Sequence, residues 1–519
     1  MATQLRNETR AIRGIVDDFL QGRLVVPEFQ RDYVWKPSKA SKLVESLYRN
    51  FPVSSLLVWE SMEHVESRFQ TGSTRDFLGW LIDGQQRVTT LARTLTGDQD
   101  IEVVFNVDNE EFSRANAATR KDPRWIRVSD AWNDEWFRRF RRDFNDTPKE
   151  RRTEERIEQL RSVLDYEIPI VRMVGHSFKD AVEAFKRINS QGVPLRPADI
   201  ASAQVAAKHS GFVRNKLIPF LRDLHSRGFD RIFATHLFRV CAFIAHPDGR
   251  NRTPLHELQT SEVEKAWRQT QRAVNNCLDL LSAELGIADM SILWSGNLLV
   301  PVIALCGLNP GDRDDREIAG WLAAASLCRR FSRSSASTLE QDLKACRSSN
   351  PIGTLLRNLK HRRPFLSATE GDFNGSIADR SGLLTTYLAC RHLGAMDLLS
   401  GRRMGSNARI DRHHILPRSF FSIGERQRAD VLANIAFVVN DSNKCISDSN
   451  PAAYLKRIEE RVLRSQAIPT DPELWSIDRA EDFWTERRRL LANAFNDYLS
   501  SVLPNRRVHG NGNADVANA

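Results

Sequence analysis

Two regions of the chain contain residue types and spacings that could do chemistry. The first is a run that follows an apolar stretch and precedes a helical pattern: Asp83, Gly84, Gln85, Gln86 and Arg87. A strand, a glycine turn and a helix N-terminus present backbone N–H donors and a positive dipole end, which together can bind phosphate. Arg87 and the two glutamine amides would donate to phosphate oxygens, and Asp83 would hold a magnesium ion or a ribose hydroxyl. The alternative is an ordinary Asp-Gly turn with Arg87 in solvent.

Residues 27–35 combine hydrogen-bonding groups with aromatic rings. Gln30 and Arg31 place a planar amide beside a planar guanidinium, and Tyr33 and Trp35 follow closely. Such a set suits a nucleobase or a phosphate held against a stacking surface. Alternatively, the aromatic residues alternate as one face of a strand and belong to the core.

The second region contains a histidine pair. His413 and His414 are adjacent, so at the end of a strand their side chains point to opposite faces, and one could bind metal while the other transfers a proton. Asn434 precedes an apolar run, and Asn443 lies in the polar segment that follows it. Asparagine oxygens suit a hard ion such as magnesium. A His-His pair in a solvent-exposed turn is the alternative.

The motifs of the first region, together with Phe-Lys-Arg-Ile-Asn-Ser-Gln-Gly at 185–192, resemble the N-terminal domain of GmrSD-type modification-dependent restriction enzymes. The resemblance covers approximately residues 10–240. It implies a ParB/sulfiredoxin-like fold that binds and hydrolyses nucleoside triphosphate at residues 83–87, with Gln30 and Arg31 beside the nucleotide. In phosphorothioate-sensing relatives this domain also reads the DNA modification, which makes Tyr33 and Trp35 candidate contacts to the modification or to a base.

The histidine pair and the asparagines are similar to the HNH (ββα-metal) nuclease domain that accompanies the GmrSD N-terminal domain, over roughly residues 386–480. This resemblance implies that His414 is the general base and that Asn434 orients it. It also implies that His413 and Asn443 hold Mg²⁺ or another divalent metal, with Asp411 as a further ligand. Flanking arginines would bind the DNA backbone without reading its sequence.

Hydrophobic periodicity indicates the elements that must position these residues. Strand patterns at 56–59, 77–82, 101–107 and 167–174 alternate with helical patterns, which predicts an α+β multidomain protein. We expect a ParB-like nucleotide-binding and modification-sensing domain at 1–210, a helical middle region at 211–385, an HNH domain at 386–502 and a disordered tail at 503–519. An Arg-rich stretch with interleaved aromatic residues, at 112–160, could stack bases, or it could be an amphipathic helix that buries its rings.

Composition limits the class of protein. Of 519 residues, 41% are hydrophobic and 27% charged, which excludes a wholly disordered or fibrous chain. A net charge of +9 permits a polyanionic partner, and seven scattered cysteines fit reduced thiols. The N-terminus has no apolar signal region, and the apolar run at 298–308 is too short for a bilayer. We expect a cytoplasmic protein without a membrane partner, with its oligomeric state, including a homo-oligomer, left open.

The two resemblances together imply a prokaryotic anti-phage endonuclease whose partner is DNA that carries a modification. Nucleoside triphosphate and the modification would gate cleavage, because phosphate contacts alone cannot distinguish foreign DNA from host DNA. Glucosylated hydroxymethylcytosine and phosphorothioate both remain open as the modification. The alternatives are a nucleotide-switched ParB-like DNA-binding protein without nuclease activity, and a toxic nuclease restrained by a partner.

Overall fold

The structure is a computed structural model that describes residues 3–503, except 29, 31–32, 34, 62–76, 143–146, 191–196, 247–254, 309–312, 333–335 and 406–409. Two compact units make up the chain, Met1–Phe220 and Leu221–Ala519. The division at residue 220 falls close to the predicted end of the N-terminal domain, and the further division expected at residue 385 stays a prediction. The predicted tail lies outside the described residues, apart from its first residue, Leu503, which is buried.

The first unit contains eight strands among its described residues: β1 Gln4–Ala11, β2 Leu24–Val25, β3 Leu56–Glu60, β4 Gly79–Asp83, β5 Val103–Asn106, β6 Glu111–Arg114, β7 Trp125–Arg127 and β8 Glu167–Val174. Five of them form a mixed sheet in the order β1-β8-β3-β4-β2, and β5 pairs with β6 and β7 in a smaller sheet. In the larger sheet β4 lies between β3 and β2, so the run that follows it begins from the interior of the sheet.

The described residues of the first unit also form helices: α1 Ile12–Leu20, α2 Pro37–Tyr48, α3 Gln85–Leu95, α4 Val128–Ala131, α5 Asp134–Arg142, α6 Pro148–Ser162, α7 Phe178–Ser190 and α8 Pro197–Lys208. In α2, Ala40, Val44 and Leu47 are buried at the spacing of one helix face, and they join the core that also contains Leu56 and Leu81. The helical and strand patterns predicted for this unit are therefore confirmed.

The Arg-rich aromatic stretch supplies core residues. Trp132 and Phe137 are buried in the hydrophobic core of the first unit, and Trp136 and Phe140 pack against it. Trp132 Nε1 also donates a hydrogen bond to the carbonyl of Leu160, at 2.8 Å. These rings are used in packing, which favours the amphipathic-helix interpretation over base stacking.

The second unit begins with the end of α9 (Ile218–Ser226) and continues through α10 Ala234–Ala245, α11 Thr260–Leu285, α12 Leu299–Leu308, α13 Asp315–Leu327, α14 Ala336–Ala345, α15 Pro351–Lys360 and α16 Arg380–His392. The helical character expected between 211 and 385 is confirmed. No helix among the described residues is both long enough and apolar enough to cross a membrane.

Two strands and a short helix follow in the second unit: β9 Ile410–His414, β10 Ile435–Val439 and α17 Asn440–Ile446. The strands are antiparallel, with His414 opposite Ile435 and His413 opposite Ala436. The chain then ends in α18 Pro451–Leu455, α19 Glu460–Ser465 and α20 Ala480–Val502, whose Phe483 and Trp484 share a core with the residues around the hairpin. In this part of the chain, two antiparallel strands are thus followed directly by a short helix.

Candidate functional site

The turn between β4 and α3 has the geometry expected of a tight strand-to-helix connection. Gly84 adopts a left-handed conformation with φ of 96°, and a Cβ there would lie 2.1 Å from Leu56 Cδ2. A glycine is therefore required at this position for both conformation and space. The helix α3 begins immediately afterward at Gln85, which is buried together with Gln86.

Arg87 makes contacts within its own unit. Its guanidinium donates to the carbonyl of Ser54, to the carbonyl of Ser55 at 2.8 Å and to Asp83 Oδ2 at 3.0 Å. Burial lowers the pKa of Arg87 from its ordinary value, against the opposing effect of Asp83. The two charged residues predicted to bind nucleotide are therefore brought together as an ion pair, and Arg87 ties the start of α3 to the segment before β3.

Gln30 lies against the end of the same strand. Its Nε2 donates to the carbonyl of Leu81 at 2.7 Å and to the carbonyl of Ile82 at 2.8 Å, and its side chain is buried. The predicted partner of Gln30, Arg31, lies outside the described residues. Gln30 thus lies beside the predicted site. Its amide nitrogen is hydrogen-bonded to β4, the strand that leads into the turn.

Tyr33 and Trp35 follow Gln30 in irregular backbone. The Tyr33 hydroxyl is 2.9 Å from Thr90 Oγ1, and the Arg93 guanidinium lies 4.8 Å from the centre of the Tyr33 ring. Trp35 packs against the hydrophobic core, with Lys39 Nζ 4.9 Å from its ring centre. Each ring therefore has an intramolecular cation partner.

Glu28 was not singled out by the sequence. It is fully buried, and its two carboxylate oxygens accept from the backbone N–H groups of Gly211 and Arg214, both at 3.0 Å. The carboxylate thereby fixes the segment that carries Gln30 to the helical segment near residue 213.

In the second unit, three predicted metal ligands converge on one face of β9. His413 Nδ1 lies 3.0 Å from Asn443 Oδ1, and Asn443 Nδ2 lies 3.5 Å from Asp411 Oδ2. Asn440, in the first turn of α17, donates to the same Asp411 oxygen at 2.7 Å. Burial lowers the pKa of His413 to about 4, so its imidazole is neutral at pH 7, the form in which histidine ligates metal.

These residues offer an imidazole nitrogen, an amide oxygen and a carboxylate, which are donor types that divalent cations accept. His413 Nδ1 and Asn443 Oδ1 are at hydrogen-bond distance from each other, 3.0 Å. Within the described parts of the chain no group of three His, Cys, Asp or Glu side chains could hold a metal, so the amide oxygen of Asn443 is essential to this set. Asp411 and Asn443, with Arg412, also line a cavity of about 630 Å³.

His414 points to a different set of partners. Its Nε2 lies 2.9 Å from Asp430 Oδ1, and Asp430 Oδ2 lies 3.5 Å from the Arg418 guanidinium. Burial lowers the pKa of His414 from its ordinary value, while Asp430 acts in the opposite direction. Because an ionised carboxylate only accepts hydrogen bonds, Asp430 favours the tautomer with the proton on Nε2 and leaves the Nδ1 lone pair basic. Sequence reasoning missed Asp430, whose only sequence signal is a carboxylate between the two motif segments.

Asn434 holds the loop between β9 and β10. It is fully buried; its Nδ2 donates to the carbonyls of Leu416 and Ala429 at 2.8 and 2.9 Å, and its Oδ1 accepts from the N–H of Leu416 at 2.9 Å. All these partners are backbone groups of the segment that follows His414. Asn434, predicted as catalytic, is thus placed as a positioning residue that acts through the loop backbone.

Three further buried polar residues hold β10, and they belong to none of the predicted motifs. Arg487 from α20 donates to the carbonyls of Ala433 and Ile435 at 2.8 and 2.7 Å. Gln466 pairs with both backbone groups of Phe437. Asp397 accepts from the N–H of Val439 at 3.0 Å and from Ser442 Oγ at 2.6 Å, and these hydrogen bonds lower its pKa despite burial.

Comparison with known proteins gives two matches. Residues 12–206 match the model of the GmrSD restriction endonuclease N-terminal domain, which confirms the resemblance carried by the motifs of the first region. An uncharacterized protein of Methanocaldococcus jannaschii, MJ0686, is 20% identical over 546 aligned positions that cover 88% of each chain. The likeness to that archaeal protein therefore spans both units.

Proposed function

We propose that this chain, which carries the N-terminal domain of the GmrSD restriction endonucleases, is a defence endonuclease that hydrolyses DNA at the His413–His414 region of its second unit. The observation that carries the proposal is that the predicted site residues around β9 form two separate sets of contacts. Asp411, His413 and Asn443 are gathered on one side of the strand, while His414 is held separately by Asp430. These positions support the HNH interpretation of this region.

The chemistry follows from these positions. His414 Nδ1 accepts a proton from water as the water oxygen attacks the phosphorus of a phosphodiester, and the bond from phosphorus to the 3′ oxygen breaks. Asp430 stabilises the imidazolium that forms and keeps the ring in one orientation. A divalent ion held by His413, Asn443 and Asp411 would supply stabilisation of the charge on the phosphate and the departing oxygen.

The cavity beside Asp411 adds residues of the helical middle region to the proposed DNA-binding surface. Its lining includes Arg412 on β9 and also residues 226–228, 288, 289 and 291, which precede the predicted HNH domain. We expect these residues to form part of the surface that a DNA strand follows. Cleavage would then need the second unit as a whole.

Nucleotide binding at the first unit is the regulatory part of the proposal. The match to the GmrSD N-terminal domain supports it, and the β4–α3 turn offers a helix N-terminus behind a left-handed glycine. A phosphate at this turn would have to compete with Asp83 and the Ser54 and Ser55 carbonyls for Arg87. A nucleotide that displaced these contacts of Arg87 would change the packing between α3 and the segment before β3. That change would gate cleavage of modified DNA.

The test is cleavage of plasmid DNA, with and without magnesium, nucleoside triphosphate and modified bases. We expect magnesium-dependent cleavage that falls by about 10²–10⁴ in His414→Ala. His361→Ala, a change at an exposed histidine in the same unit, is the matched control and should cleave like the parent. DNA binding without cleavage under every condition would support the ParB-like alternative, and full cleavage by His414→Ala would place the nuclease site elsewhere.

A further inference from the structure

A buried tyrosine lies against the predicted metal ligand His413, and no step of the proposed hydrolysis uses it. Tyr454 belongs to the short helix α18, and its ring meets the His413 imidazole edge to face, with the two ring centres 6.0 Å apart. Its hydroxyl oxygen is 2.9 Å from the carbonyl oxygen of Ile415 and 3.5 Å from His413 Nε2. One hydroxyl therefore faces both an imidazole nitrogen and a backbone acceptor of the same segment.

The hydroxyl and the carbonyl that it faces both belong to supported backbone. α18 begins at Pro451, and the N–H of Tyr454 donates to the carbonyl of Asn450 at 3.0 Å. The side chain of Tyr454 packs in the same hydrophobic core as Ile415. Ile415 in turn donates its own N–H to the carbonyl of Asn434 at 2.9 Å. The position of the phenol oxygen beside His413 is therefore fixed by the fold.

The single proton of the hydroxyl is directed to Ile415. A backbone carbonyl oxygen only accepts hydrogen bonds, and it is the nearer of the two partners, at 2.9 Å. The phenol oxygen then turns its lone pairs toward His413 Nε2, at the outer limit of hydrogen-bond distance. Lone pairs opposite Nε2 favour the neutral imidazole tautomer that carries its proton on Nε2.

The other imidazole nitrogen of His413 also faces an oxygen. His413 Nδ1 is 3.0 Å from Asn443 Oδ1, and the amide nitrogen of Asn443 is turned toward Asp411 Oδ2, at 3.5 Å. Asn443 Oδ1 by itself would favour a proton on Nδ1, and a protonated nitrogen cannot ligate a metal ion. Tyr454 opposes this preference. With the proton on Nε2, the Nδ1 lone pair and the Asn443 oxygen converge, and a cation can be bound by both.

We propose that Tyr454 is a positioning residue for divalent-metal binding, because it selects the His413 tautomer whose Nδ1 can ligate the ion. A ligating histidine generally donates its second N–H to an acceptor, which fixes both the ring and the tautomer. Here the acceptor is a hydroxyl whose own proton is used by Ile415. This inference rests on the metal site of the proposed function, and it adds a residue that would not itself contact the ion.

The experiment is titration of the full chain with Mn²⁺, followed through the electron paramagnetic resonance signal of the free ion. His413→Ala defines the site, as the binding event that this variant loses. Tyr454→Phe keeps the ring and its packing but lacks the hydroxyl. We expect it to bind Mn²⁺ at that site about 10- to 100-fold more weakly.

Tyr387→Phe is the matched control. Tyr387 is another buried tyrosine of the second unit, it donates to the backbone carbonyl of Gly286 at 2.9 Å, and its ring also meets an aromatic neighbour edge to face. The variant loses an equivalent hydrogen bond, so a general effect of destabilisation would appear in both tyrosine variants. We expect Tyr387→Phe to bind Mn²⁺ within twofold of the parent.

Nitrogen-15 NMR of labelled histidine side chains reports the tautomer itself, which a merely structural role of Tyr454 would not change. The His413 signals are assigned by their absence in His413→Ala. In the Mg²⁺-bound parent they should show the proton on Nε2. In the metal-free chain, Tyr454→Phe should shift the population toward the form with the proton on Nδ1.

Three results would overturn the inference and leave the metal site of the proposed function standing. They are parent-like Mn²⁺ affinity in Tyr454→Phe, an equal loss of affinity in both tyrosine variants, and a metal-free tautomer that is the same in the parent and in Tyr454→Phe. A fourth result, the absence of any Mn²⁺-binding event that depends on His413, would overturn this inference and the proposed metal site together.

Discussion

The β4–α3 turn and the β9–β10–α17 region differ in what most of their motif residues contact. In the turn, Arg87 and Gln30 donate to backbone carbonyls of neighbouring segments, so the motif residues hold the fold in addition to any nucleotide. Around β9, His413, Asn443 and Asp411 contact one another through side-chain atoms, which a metal could replace without loss of a backbone contact. A single motif therefore contains residues that stabilise the fold around a site and residues whose side chains are available to a ligand. The atoms that each residue contacts distinguish the two kinds.

The largest effect is expected at Asn434, the motif residue of the second region whose partners are backbone groups. Asn434→Ala leaves two carbonyls and one N–H of the loop without partners, and we expect a loss of about 3–5 kcal/mol in the free energy of unfolding, measured by denaturant titration. Asn443→Ala, at a partly exposed position, should cost less than about 1 kcal/mol and should weaken metal-dependent cleavage instead. Equal stability losses in the two variants would remove the distinction.

Arg87 tests the other side of the comparison. Arg87→Ala removes donors to Ser54 and Ser55 and the ion pair with Asp83, so we expect the first unit to lose about 2–3 kcal/mol, seen as a lower melting temperature without nucleotide. Arg87→Lys should recover only part of this loss, because a lysine cannot reach the same acceptors as a planar fork. A melting temperature equal to that of the parent would show that Arg87 contributes to ligand binding alone.

Asp430 sharpens the assignment of His414. Asp430→Asn keeps the shape of the side chain but removes its charge, and we expect the rate of DNA cleavage to fall about 10- to 100-fold with KM nearly unchanged. Asp430→Glu should restore part of the rate. If cleavage and unfolding stability fell together in Asp430→Asn, the residue would be holding the loop and would have no separate effect on the base.

The smallest effect is expected at Tyr33. Tyr33→Phe deletes one hydrogen bond, to Thr90, and should change the free energy of unfolding by about 0.5–1.5 kcal/mol while the ring and its Arg93 contact remain. Tyr33→Ala should in addition weaken binding of modified DNA, as a filter-binding measurement would report. Unchanged DNA binding in Tyr33→Ala would remove this ring from the modification site.

The sequence predicted the parts of this protein that depend on local pattern. The strand at 56–59 and the helix at 88–95 follow from periodicity, and the HNH resemblance implied that His413 and Asn443 lie together. Partners that depend on tertiary folding could not be predicted. The amide of Gln30 reaches carbonyls at 81 and 82, and His414 meets Asp430 on an irregular loop, so no period or spacing records either contact.

The position of Arg487 has a consequence for the order in which this protein is made. The carbonyls of Ala433 and Ile435 lie just before β10 and at its first residue, opposite His414, and their donor comes from α20. During synthesis, the ribosome delivers the histidine pair before α20 emerges. A nascent polypeptide thus carries the histidine pair beside a strand that lacks these hydrogen bonds until residue 487 has been added.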